Sequence, residues 1–88
     1  MAKGYIVFYK KLENCGVCKL VQPQLDATGF HYNIATVEED EAVLIAEGIK
    51  SVPTIVLYNE ESEEVARVSG VVTEEVIRAM AEGYDLYE

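Results

Sequence analysis

Cys15 and Cys18, with Gly16 and Val17 between them, are the residues of this chain best suited to chemistry. Two thiols three positions apart can close a small disulfide ring and open it again. An apolar run precedes them and a helical pattern follows, so the first thiol is expected at a helix N-terminus. Unpaired backbone N–H groups and the helix dipole favour a thiolate there. A free cysteine has a pKa of about 8.5, and such settings lower it to between roughly 3.5 and 7.5. Cys15 is therefore the expected nucleophile and Cys18 its resolving partner. A bridge closing so short a loop adds little chain-entropy stabilisation, which argues for a redox site rather than a scaffold staple.

The elements that must hold this pair follow from hydrophobic patterning. Tyr5–Tyr9 reads as a buried strand. An amphipathic helix follows, with Val17, Val21, Leu25 and Thr28 on one face, Asn14 as N-cap, Gly29 as stop and Pro23 kinking its interior. A second strand fits His31–Val37. The acidic run Glu38–Glu41 opens a short helix over Ala42–Glu47, where negative charge suits the dipole, and Gly48 closes it. Thr54–Tyr58 is a third, wholly apolar strand. Asn59–Ser62 turn the chain, and Glu64–Val68 alternate as a strand with one wet face. Thr73 caps a last helix with Val76, Ile77, Met80 and Ala81 on its core side, and a frayed tail is expected from Tyr84 to Glu88. The order β-α-β-α-β-β-α predicts one α/β domain over residues 1–88. Its four-stranded mixed sheet has a parallel start, a closing hairpin and helices on both faces.

Bulk composition removes several function classes. The 88 residues carry a net charge of −9. Residues 1–23 balance at +3 and the remainder at −12. Without a basic patch, nucleic-acid binding is disfavoured. The acidic excess reads as solubility; lysines about the cysteines stabilising a thiolate or steering acidic partners is the weaker reading. No targeting or membrane-spanning segment is visible, which makes a cytoplasmic, reducing compartment the expectation. Cys15, Cys18 and His31 begin a zinc-finger spacing, but positions 35–37 are Ala, Thr and Val, so the fourth ligand is missing. No metal and no cofactor is expected. The tyrosines at 5, 32, 58, 84 and 87 read as core and rim packing.

Taken in order, these residues resemble the thioredoxin superfamily. Cys15-Gly16-Val17-Cys18-Lys19 is similar to the thioredoxin active site with valine in place of its proline. Pro23 matches the proline that kinks the active-site helix. Gly48-Ile49-Lys50-Ser51-Val52-Pro53-Thr54 is similar to the segment that carries a cis-proline facing the cysteines, and Gly70 matches a glycine at which a partner chain approaches. The resemblance spans essentially the whole chain, although thioredoxins usually have an extra N-terminal strand and helix that are missing here. It implies a thioredoxin-like fold, a cis Val52–Pro53 bond, and substrate contacts from Gly16, Val17, Val52, Pro53 and Gly70.

The resemblance also implies an activity, the reduction of protein disulfides by dithiol exchange. The implied partners are disulfide-containing proteins, with a thioredoxin reductase as electron source and a monomeric enzyme. Two readings stand beside it. One is a glutaredoxin-like electron donor, for example to ribonucleotide reductase; the short length favours it, while Ser69-Gly70-Val71-Val72-Thr73 lacks the usual glutathione-contacting residues. The other is a thioredoxin-fold adaptor with idle thiols. Departures from the family pattern are specific. Tyr9 stands where a buried acid is usual, the lysine partner of that acid falls near Thr36, and Asn14 replaces a tryptophan. Cys18 is thus left without an obvious base. Val17, unlike proline, keeps an N–H able to donate to a Cys15 thiolate, which predicts a couple more oxidising than thioredoxin's value of about −270 mV.

Overall fold

Strand β1, Gly4–Lys10, runs through the middle of the molecule because its β-branched and aromatic residues bury both faces. The computed structural model describes residues 4–84. After β1 come helix α1 (Gly16–Ala27), strand β2 (Tyr32–Thr36), helix α2 (Glu41–Ala46), strands β3 (Thr54–Asn59) and β4 (Glu64–Ser69), and helix α3 (Glu74–Gly83). The sheet order is β2-β1-β3-β4. The four-stranded mixed sheet expected from the pattern is the one observed.

Its direction holds one correction. The parallel start extends only to β1 and β2, in register from Ile6↔Tyr32 to Lys10↔Thr36. β3 enters antiparallel, with Tyr9 opposite Thr54. The apolar run within Thr54–Asn59 reads the same in either direction, so the pattern does not encode strand sense. The chain after β2 stays at the end of the sheet where β2 finishes, so β3 starts there and runs back along β1. β4 completes a hairpin, with Thr54 opposite Ser69 and a bulge at Leu57/Tyr58.

Alternation along the strands sorts the core into two layers. Ile6, Phe8, Ile55 and Leu57 face α1 and α3, where they meet Val21, Leu25, Val72, Ile77 and Ala81. Tyr9, Val56 and Tyr58 face the other way, toward Leu44 of α2. Fully burying a side chain such as Leu25 or Ile77 is worth about 1.5–3 kcal/mol. On α1 the buried face is Cys18, Val21, Leu25 and Thr28, and Val17 points outward, so the expected face is shifted by one residue at its start. Val76 on α3 is likewise exposed.

Helix termini differ in detail from expectation. Cys15, not Asn14, is the N-cap of α1. Asn14 instead takes the left-handed conformation at φ 58°, which asparagine tolerates better than most residues. Gly29, at φ 75°, follows the Thr28 C-cap and stops the helix as predicted. Pro23 lies inside α1, removing the N–H that would bond Lys19 C=O. Helix α2 starts and ends one residue before its expected bounds, whereas α3 begins directly after Thr73, whose side chain caps it as expected. Gln24 Oε1 accepts the Glu74 N–H at 2.9 Å, and Arg78 Nη2 donates to Ala27 C=O at 3.2 Å, so α1 and α3 satisfy each other's ends. Tyr84 N–H bonds Met80 C=O at 3.1 Å. The rest of the expected frayed tail, Asp85–Glu88 with Tyr87, lies outside the described residues.

Candidate active site

The sheet's architecture places the candidate residues at one end. Lys10 pairs with Thr36, Tyr9 with Thr54 and Thr54 with Ser69, a row that closes the sheet where β1 and β4 finish and β3 begins. Cys15 leaves β1 by a four-residue loop, Pro53 directly precedes β3, and Gly70 directly follows β4. Topology alone therefore gathers segments distant in sequence.

Cys15 and Cys18 are joined in a disulfide, with their Cα atoms 5.3 Å apart. Their environments differ sharply. Cys15 is half-buried and opens to solvent, while Cys18 is 2% exposed beneath the first turn of α1. Cys15 Sγ accepts the Cys18 backbone N–H at 3.2 Å, a capping bond that sets this sulfur where the helix's positive end is concentrated. A thiolate formed there on reduction meets the same N–H. Gly16 is exposed and begins α1, and Val17 beside it is 38% exposed.

At the same end of the sheet the Val52–Pro53 bond is cis, Pro53 is buried, and Pro53 C=O accepts the Gly70 N–H at 3.0 Å. Gly70 has φ 81°, a region that an L side chain adopts only with strain. Val52 is half-buried at the end of an apolar groove of about 370 Å³. Val37, Leu44, Ile45 and Ile49 supply its floor and wall, with Glu41 and Lys50 at its margin. Sequence reading named Val52 and missed the rest of this groove. A hint existed in Ile45, which is apolar yet 71% exposed on a helix whose core residue is Leu44.

The place usually held by a buried acid contains a different arrangement. Tyr9 hydroxyl bonds Tyr58 hydroxyl at 2.6 Å inside the core, and Tyr5 stacks on Tyr58 with centroids 4.9 Å apart. Burial pushes the Tyr9 hydroxyl pKa up; burial and the Tyr9 bond push that of Tyr58 well up. Both phenols stay neutral at physiological pH, so neither supplies a ready base to Cys18. Thr36, near the position of the acid's usual lysine partner, binds the turn after β2 through Asp40 and Glu39.

One of the lysines near the cysteines has its own partners. Lys10 donates to Gln22 Oε1 at 2.8 Å with its ammonium 6.0 Å from the Phe8 ring centroid, so its charge is engaged along α1. Among the described residues no group of three or more His, Cys, Asp and Glu could hold a metal ion. No helix among them is long and apolar enough to cross a membrane.

Comparison with known proteins agrees with this geometry. The SPbeta prophage-derived thioredoxin-like protein YosR of Bacillus subtilis is 30% identical over 74 residues, covering 82% of this chain and 92% of that protein. A mutant thioredoxin from Halobacterium salinarum superposes with TM-score 0.80 at 25% identity, over 94% of this chain and 75% of that one. Fasciola hepatica thioredoxin matches with TM-score 0.80 at 21% identity, over 93% and 81% respectively, and shows the shared fold. The thioredoxin family profile matches residues 3–82. With a cysteine pair that closes at the N-terminus of α1, this supports thiol–disulfide oxidoreductase chemistry in general. The chain belongs to the thioredoxin family.

Proposed function

We propose that this protein reduces disulfides in other proteins by dithiol exchange through Cys15 and Cys18. The observation that carries the reading is the asymmetry of the pair, an accessible sulfur at a helix N-cap backed by a buried one. The Cys15 thiolate attacks one sulfur of the substrate disulfide. A Cys15–substrate bond forms and the other substrate sulfur leaves as a thiolate, which takes up a proton. Cys18 then loses its proton to solvent and, as a thiolate, attacks the Cys15 sulfur. The second substrate sulfur departs as a thiolate and takes up a proton, leaving a reduced substrate and an oxidised Cys15–Cys18 pair.

In this reading the groove ending at Val52 seats side chains of the substrate polypeptide. Gly16, Val17, Val52, Pro53 and Gly70 border the attacked bond. A groove of apolar residues favours a polypeptide over glutathione, which is small and charged. The enzyme acts as a monomer in the cytoplasm and draws its electrons from a thioredoxin reductase. The test is a Cys18→Ser variant, which keeps the attacking thiol and lacks the resolving one. Incubated with an oxidised protein substrate such as insulin, it is expected to accumulate a mixed disulfide at Cys15. Absence of any trapped species, with Cys15 still alkylatable, would overturn the two-step scheme.

A further inference from the structure

The acidic run after β2 does more than open a helix. Only Glu41 lies in the first turn of α2. Asp40 turns back to accept the Thr36 N–H at 2.9 Å, its own N–H bonds Thr36 C=O at 2.8 Å, and Glu39 N–H bonds Thr36 Oγ1 at 3.1 Å. These three bonds close a stiff turn with Glu38 near its tip. From there Glu38 Oε1 accepts the Leu12 backbone N–H at 3.0 Å.

That bond falls at a consequential place. The last backbone contact between the β1 and β2 segments is Val37 N–H to Lys10 C=O, at 3.0 Å. Beyond Lys10 the chain enters the exposed loop of Lys11, Leu12, Glu13 and Asn14, passes through the left-handed Asn14, and reaches the Cys15 N-cap. The Glu38 carboxylate thus acts as one more rung of the ladder, supplied by a side chain where the backbones diverge.

We infer that Glu38 is the positioning residue of the nucleophile, its carboxylate fixing the loop that delivers Cys15 to the N-cap of α1. The inference rests on the reading of Cys15 as nucleophile. The Leu12 N–H holds the Glu38 carboxyl below the usual carboxylate range, with the Glu13 backbone and the Lys11 charge adding to the effect. The clamp is therefore charged under physiological conditions. Its donors are backbone groups, so a neutral acceptor of the same length is able to replace it.

Two substitutions separate positioning from charge. Glu38→Gln keeps an oxygen acceptor at the same reach, and Glu38→Ala removes it. Removing a negative charge near Cys15 would by itself lower the thiol pKa equally in both. Loss of the clamp instead raises it in the alanine variant alone, because Cys15 then leaves the helix N-cap. The pH dependence of Cys15 alkylation by iodoacetamide, in reduced protein, reads this directly. For Glu38→Ala, alkylation at pH 7 is expected to slow about threefold, the effect of a rise of about half a pKa unit, with Glu38→Gln close to wild type. Amide hydrogen exchange at Leu12 is expected to accelerate in the alanine variant and to remain slow in the glutamine variant. Both are measured in protein whose far-UV circular dichroism matches wild type.

A lowered Cys15 pKa in both variants, or unchanged Leu12 exchange in Glu38→Ala, would overturn the inference. The exchange readout does not depend on Cys15 chemistry. If wild-type Cys15 reacts no faster than an ordinary thiol while Leu12 responds as described, the proposed function fails and the clamp itself stands.

Discussion

The Tyr9–Tyr58 pair offers the sharpest test of how this core is held. Replacing Tyr9 with Phe removes one hydroxyl and leaves the other, on Tyr58, buried with its partner gone. An orphaned buried polar group costs about 1–3 kcal/mol, whereas removing both members of a pair is close to neutral. Tyr9→Phe and Tyr58→Phe are each expected to destabilise by about 2 kcal/mol, and the double variant by no more than about 1 kcal/mol. The implied coupling of about 3 kcal/mol is at the upper end of what contacting residues show. In a domain of this size 1 kcal/mol moves Tm by roughly 4–8 °C, so the single variants fall well inside detection. Urea unfolding of the oxidised protein, followed by far-UV circular dichroism, completes the cycle. A double variant equal to the sum of the singles would refute the account.

The same pair sets an alkaline limit. An unfolded tyrosine ionises near its ordinary value of 10.0, while burial raises both native hydroxyls above it. Above that pH the unfolded chain sheds protons first, so the unfolded state binds fewer and stability falls. Stability from these groups is full below pH 10 and drains away as pH climbs toward the raised native values. The doubly substituted protein should lack this added slope.

Two further expectations concern the site. Val17→Pro removes an N–H from the first turn of α1, and the Cys15–Cys18 couple should become more reducing by about 30 mV, a tenfold change for two electrons. Equilibration in glutathione redox buffers measures it, and an unchanged or higher potential would dismiss a thiolate contact from Val17. Ile45→Glu places a charge on the groove wall at a residue 71% exposed. Stability should move by less than about 0.5 kcal/mol, while KM for insulin rises several-fold and reaction with a small aromatic disulfide does not change.

What the sequence discloses and what it hides divide by distance along the chain. The Cys15–Cys18 site, the apolar strand after Pro53 and the helix stop at Gly29 are written in neighbouring residues, where local patterns have direct physical meaning. The Tyr9–Tyr58 bond joins positions 49 apart through strand register, which no local pattern encodes. Glu38 was read through the helix dipole because it precedes α2. Its actual partner, Leu12, becomes visible only when β1 and β2 are laid side by side. Asn14 was expected to cap α1 because asparagine favours that position, yet the same residue also tolerates the left-handed turn it adopts. The direction of β3 is likewise absent from its apolar run, which reads the same parallel or antiparallel. The groove went unseen for a related reason: its residues come from β2's end, α2 and the loop before β3, and each looks like ordinary core on its own.

The mutual finishing of α1 and α3 has a consequence for the working cycle. Because Gln24 closes the start of α3 and Arg78 the end of α1, neither helix can unravel at those points alone. The two should open as one cooperative unit, with amide exchange in both tracking a single free energy. Cys18 sits on the shared interior side of that unit. Amide exchange in α1 beyond its first turn is therefore expected to be alike in the oxidised and the reduced protein.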